Sequence, residues 1–266
     1  MSVKNETTVL SYIKMKAERA KGHLDAFNFI VADYLPKATT VTTRDDFDAS
    51  RCIRRTEFHA FPPELGMELG EFVYCLRSGL DQLAWHVATV TARKDSPKDV
   101  CFPIVKSLIN SDQRKKYKRS LALFPTNIAA EIDALQPYKE PSLSDAHPLW
   151  QLNTLCNLDK HCVIPINSRT KRVFVVHGAV VTYPHDVDAV DVSIPLADKS
   201  KFEFDPNLPG DIELGEWDAD LTIPRRRLAD IHDFVINTVI PAFERFDIPV
   251  VHGERFRTGD SQPVYG

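Results

Sequence analysis

The sequence has no apolar run near the roughly 18 residues that a membrane-spanning helix requires, so no bilayer span is expected. Its opening, MSVKNETTVL, lacks a basic stretch followed by an apolar one and does not read as a signal peptide. Glycine is scarce, at 10 of 266 residues, and neither GxGxxG nor GxxxxGK followed by Ser or Thr occurs. The usual backbone cradles for dinucleotides and nucleoside triphosphates are therefore missing. GxSxG and HExxH are missing too, which removes the local signatures of serine hydrolases and zinc proteases. A large excess of either charge is also lacking. The formal net charge of −4 gives no general attraction to nucleic acid or to an anionic membrane. The five cysteines (Cys52, Cys75, Cys101, Cys156 and Cys162) are odd in number and scattered, which predicts reduced thiols and a cytoplasmic location. Cys156, His161 and Cys162 cluster in sequence, but no Cys-x-x-Cys pair completes a zinc set, so neither metal nor cofactor is expected.

What is present is helical periodicity. From Leu65 to Val90 the apolar residues Leu65, Leu69, Phe72, Leu76, Leu80, Leu83, Val87 and Val90 recur at steps of three and four. That spacing predicts a helix over 65–92 with one buried stripe. Arg77 and Asp81 flank the stripe, about 100° and 140° from Leu76, and are four residues apart, so they can touch. Gly70, Ala84 and Ala88 lie on the same flank, where small residues admit a close neighbour.

A first helix is predicted over 9–35, ended by Pro36. A β-hairpin follows, from Thr39–Thr43 and Ile53–Phe61, with Asp45, Asp46 and Asp48 supplying the turn. Two shorter helices are expected over about 107–120 and 126–135, with Thr126 as an N-cap. The first holds Arg114, Lys115, Lys116, Lys118 and Arg119, read as a solvated face, with an anion or RNA contact as the alternative. A further helix over 147–161 places Leu149, Leu152, Leu155 and Cys156 inward. Asp159 projects into the same face, where a carboxylate needs a partner. Arg77 is the candidate.

From 163 to 221 the period changes to two, which predicts an antiparallel β-meander with one solvated face. The last helix is expected over 224–246, kinked or ended by Pro241. Arg225, Arg226 and Arg227 crowd its N-terminal end, and mutual neutralisation with Asp211, Glu213, Glu216, Asp218 and Asp220 is expected. The expected architecture is α+β: long packed helices, an N-terminal hairpin and a meander. It forms one domain over 1–249, with a loose tail over 250–266. With 43% hydrophobic residues, that domain has ample core.

Four pieces resemble a family of uncharacterised bacterial proteins: LRSGLDQLAW at 76–85, FPI at 102–104, LQPY at 135–138 and HPLWQLNTLCNLDKH at 147–161. The family pattern is approximately NLRSxLDxL, FPI, LQPY and LxxLxxxDKHR, and the match covers about a third of the chain. Cys75 stands where the family has Asn, and Cys162 where it has the Arg after DKH. The resemblance implies a shared polar cluster of Arg77, Asp81, Asp159, Lys160 and His161 and no particular activity; Asp-Lys-His reads either as a capping and ion-pair arrangement locking two helices or as part of a ligand or catalytic pocket.

The helices around LRSxLDxL are also similar to those of HEPN-type ribonucleases, whose Arg-x(4–6)-His motif binds phosphate through Arg and uses His in acid–base chemistry. Arg77 and His86 are too far apart and on opposite helix faces. Arg227 and His232 have the spacing on a helix; Arg54/His59, Arg172/His177 and Arg245/His252 match too, as chance alone predicts. The function expected from sequence is a non-catalytic binding or interaction protein of the bacterial cytoplasm, with a HEPN-like ribonuclease as the second reading. Its partners are unspecified, no membrane is expected, nucleic acid is possible but unsupported by net charge, and a homodimer is left open.

Overall fold

In a computed structural model of the chain, the described residues are 8–92, 100–161, 164–169, 174–176, 179–181, 189–195, 211–214, 223–246 and 248. The architecture is α+β, dominated by long helices. Helix α1 (Val9–Tyr34) buries Ile13, Ala17, Ala20, Leu24, Phe27 and Val31, the stripe that the three–four spacing requires. Pro36 converts its end into a 3₁₀ turn, Leu35–Lys37. Strands β1 (Thr39–Asp46) and β2 (Arg51–Phe58) pair antiparallel from Thr39↔Phe58 to Asp46↔Arg51. In their turn, the Ala49 N–H donates to Asp46 Oδ1 at 3.0 Å, and Ser50 takes a left-handed φ of 52°.

Helix α2 (Pro63–Ala92) starts two residues before the predicted stripe, because Pro63 fits a first helical turn. Helices α3 (Ser111–Leu121) and α4 (Thr126–Ala134) follow. Residues 107–110 lie outside α3, contrary to expectation. The Asn110 side chain ends the non-helical segment by accepting from the N–H groups of Asp112 and Gln113. Thr126 is the first residue of α4 rather than its cap; Pro125 holds the cap position. Two 3₁₀ turns, Pro137–Lys139 and Pro141–Leu143, occupy the expected loop, and α5 (Pro148–His161) follows.

Among the described residues, the antiparallel strands form three small sheets, one of which joins the N-terminal hairpin. Strand β6 (Ala189–Pro195) joins the hairpin in the order β1-β2-β6. Strands β3 (Ile166–Arg169), β7 (Asp211–Leu214) and β8 (Ile223–Pro224) form a second sheet in the order β3-β7-β8. Strands β4 (Phe174–Val176) and β5 (Ala179–Val181) form a third. Period-two patterning sets which residues are strands, whereas partner choice depends on backbone pairing that the pattern does not encode. The expected strand around Phe202–Phe204, Glu216, Asp218, Asp220, Cys162 and the tail over 250–266 lie outside the described residues.

The last helix begins three residues later than predicted. Pro224 is in β8, opposite Glu213, and α6 runs Arg227–Phe234. It widens into a π turn at Val235–Val239 before α7, Ile240–Glu244. Pro241 lies just after the wide turn. Its missing N–H and its clash with the preceding turn are accommodated there, so the chain stays helical to Glu244 instead of stopping.

By compactness the chain divides into two units. The first holds residues 1–22, 71–161 and 227–266; the second holds 23–70 and 162–226. The second unit contains all three sheets. It buries Leu24, Phe27, Val31, Leu65, Leu69, Ile164, Leu214 and Ile223. Arg225 donates to Asn28 Oδ1 at 2.8 Å.

The first unit is helical and contains all the family-like motifs. Its core includes Phe72, Leu76, Leu80, Phe102, Ile132, Leu149, Leu152, Leu155, Ile231, Val239 and Phe243. At Gly79 of α2 the side chains of α1 come near; a Cβ there would sit 3.4 Å from Ile13 Cγ2. Among the described residues, no helix is long and apolar enough to cross a membrane.

Candidate functional site

The first three family-like motifs form one hydrogen-bonded assembly in the helical unit. Spacing of four on α2 puts Arg77 and Asp81 side by side, with Arg77 Nη2 2.9 Å from Asp81 Oδ1. Both also bond the main chain of Phe102. Arg77 Nη2 donates to the Phe102 carbonyl at 2.9 Å, and the Phe102 N–H donates to Asp81 Oδ1 at 2.9 Å. The ion pair thus grips both polar groups of one residue, as a neighbouring strand would. Phe102 is fully buried, its ring edge-on to Phe243 at 6.4 Å.

Gln136 of LQPY repeats the device further along. Its Nε2 donates to the carbonyls of Pro103 and Ile132 at 2.8 and 2.9 Å, and its Oε1 accepts from the Val105 N–H at 2.9 Å. The Tyr138 N–H donates to the Val105 carbonyl at 3.3 Å. The irregular segment 102–105 crosses the interior with its main-chain groups satisfied largely by side chains of the other two motifs. Buried backbone outside helices and sheets requires such partners. Gln136 was not among the predicted site residues, although an amide between Leu135 and Pro137 was its visible signal.

LQPY also anchors α3. Asp133 Oδ1 accepts from the hydroxyls of Tyr117, at 2.8 Å, and of Tyr138, while Lys139 Nζ reaches Oδ2 at 2.5 Å. Burial opposes ionisation of Asp133, but the hydrogen bonds from Lys139, Tyr138 and Tyr117 outweigh it and hold the carboxyl below its usual range.

The fourth motif, on α5, behaves differently. Asp159 is half-buried and makes no ion pair with Arg77, contrary to expectation; Arg77 is committed to Asp81 and Phe102. Burial and the negative charge of Glu71 push the Asp159 carboxyl above its usual range. No hydrogen bond engages it among the described residues. Lys160 and His161 are exposed and likewise make no hydrogen bond or ion pair there, so Asp-Lys-His does not lock two helices. Cys156 is buried, and burial pushes its thiol upward against the opposing charges of Lys160 and Arg77; Asp81 and Asp159 reinforce burial. That thiol is protonated at neutral pH and a poor nucleophile.

Two buried donors have no acceptor among the described residues: Arg77 Nη1 and Trp150 Nε1. Arg77 is only 8% exposed. The neighbourhood of α2 and α5 therefore combines an unsatisfied guanidinium N–H with an unengaged, half-buried carboxyl.

The second candidate pair is not assembled either. Arg227 donates to the Ala146 carbonyl, to Asp230 Oδ2 at 2.7 Å and to Gln151 Oε1 at 3.3 Å. His232 turns to α1, its Nε2–H donating to the Ala17 carbonyl at 3.1 Å, with Nδ1 3.3 Å from Asp233. Each is used to join helices, and the two do not converge on one point. Of the other Arg/His matches, Arg172, His177 and His252 lie outside the described residues. No family model, curated protein or solved structure matches this chain.

Proposed function

We propose that this is a non-catalytic binding or interaction protein of the bacterial cytoplasm whose ligand is held beside Arg77 and Asp159. One observation carries the proposal: a nine-tenths-buried guanidinium with Nη1 unpaired, together with a half-buried carboxyl that has no partner among the described residues, both of which act on the Cys156 thiol. Leaving both unsatisfied costs stability, which is the usual signature of a site kept for binding. The ligand class this favours carries an acceptor for Arg77 and a donor for Asp159, as amino acids and nucleobases do. The odd number and scatter of the five cysteines suit a reducing compartment.

The test is a thermal-shift screen with amino acids, nucleobases and inorganic phosphate. A ligand present at 100 times its Kd contributes about 2.7 kcal/mol. In a chain of this size that raises the midpoint by roughly 5–11 °C. The proposal expects at least one compound to do so in wild type and to lose the effect in Asp159→Asn. No shift from any of them refutes it. RNA cleavage by wild type that is lost in His232→Ala would establish the HEPN-like ribonuclease reading instead.

A further inference from the structure

Helix α3 concentrates positive charge, most of it without a partner among the described residues. Its 11 residues hold five cations and one carboxylate, a net +4, so the other 255 residues together carry −8. On a wheel of about 100° per residue centred on Tyr117, the cations Lys118, Lys115, Arg119 and Lys116 fall between about 100° and 260°, the side away from Tyr117. The inner side is fully committed. Tyr117 is buried and bonded to Asp133, Asn110 caps the first turn, and Arg114 turns back to the Leu108 carbonyl at 2.8 Å. The outer side is unspent. Lys116, Lys118 and Arg119 are exposed and make no hydrogen bond or ion pair among the described residues, and Lys115 makes only a loose contact of 3.8 Å with Asp112.

We infer that this outer face of α3 is a docking surface for the phosphate backbone of a nucleic-acid duplex. Charge complementarity selects phosphate, and the rest of the helix selects the kind of polymer that carries it. Among its apolar residues Tyr117 is buried and Leu121 half-buried, both on the inner side, so no apolar face remains to enter a lipid surface. No exposed aromatic or aliphatic anchor exists on the outer face, which a protein partner would need as an energetic centre. With its only aromatic buried, α3 offers no stacking platform for unpaired bases, so single strands gain only the charge term. A duplex backbone needs only fixed cations on a rigid rod, and α3 supplies four of them within about 6 Å of helix rise, over residues 115–119. Such contacts read no sequence.

The test uses the full chain and a fluorescein-labelled 20-base-pair DNA duplex, followed by anisotropy. With four phosphate contacts, affinity falls about 150-fold between 50 and 200 mM salt. In the K116Q/K118Q/R119Q variant, where Lys115 alone remains, the fall shrinks to about 3- to 4-fold and binding at 50 mM weakens accordingly. A scrambled duplex binds equally well. Lys37→Gln, in the other unit, leaves the salt dependence unchanged. Because the substituted residues are exposed and glutamine sustains helix, an unchanged melting midpoint accompanies the loss. Three results overturn the inference: no binding of wild type at 50 mM salt, an undiminished salt dependence in the triple variant, or binding to phosphatidylserine vesicles in place of the duplex.

Discussion

Replacing Gln136 tests the idea that side chains substitute for secondary structure under the FPI segment. The amide is 1% exposed and makes three hydrogen bonds to main-chain groups. Each is worth about 1 kcal/mol net, so Gln136→Ala should cost about 3 kcal/mol. At roughly 2–4 °C per kcal/mol for a chain of this size, the thermal midpoint falls by about 6–12 °C. Gln136→Glu separates this account from simple loss of packing. A carboxylate keeps the shape but cannot donate to the Pro103 and Ile132 carbonyls, and it places a charge in a buried site facing two oxygens. The glutamate variant is therefore less stable than the alanine variant at pH 7. Its carboxyl pKa in the folded state lies above the unfolded value, so its stability recovers as pH falls and the group takes up a proton. Circular-dichroism melts of the three proteins between pH 4.5 and 7.5 measure this. A midpoint loss under 2 °C for Gln136→Ala, or a glutamate variant at least as stable as the alanine one at pH 7, would refute the reasoning.

Two further outcomes follow from α5. Burial and Glu71 raise the folded-state pKa of Asp159 above its ordinary value, so its carboxylate opposes folding at neutral pH, and that penalty disappears as pH falls below the unfolded pKa. Asp159→Asn therefore melts higher than wild type at pH 7 and equally below about pH 3.8, read from paired melts across that range. His161 is exposed and makes no hydrogen bond or ion pair among the described residues, so His161→Ala changes stability by at most about 0.5 kcal/mol. A drop of several degrees in its midpoint would restore a structural role for Asp-Lys-His.

The sequence by itself determined the long helices, because a three–four spacing of apolar residues has one physical solution wherever a core is available. Leu69, Phe72, Leu76, Leu80 and Leu83 are buried as their periodicity required. It also determined the contact of Arg77 with Asp81, since four residues is one helical turn. Which third group they serve was beyond it. Asp159 and the Phe102 peptide are both plausible partners by pattern. Only the path of residues 102–105 through the helical unit decided for Phe102, because buried main-chain groups outcompete a carboxylate that can still reach water. Sheet pairing was likewise a tertiary decision. The alternation around Val190 and Val192 marked a strand, but its pairing with β2 joins segments more than a hundred residues apart. Local pattern specifies which face of a strand is apolar, and only the assembled backbone specifies its neighbour.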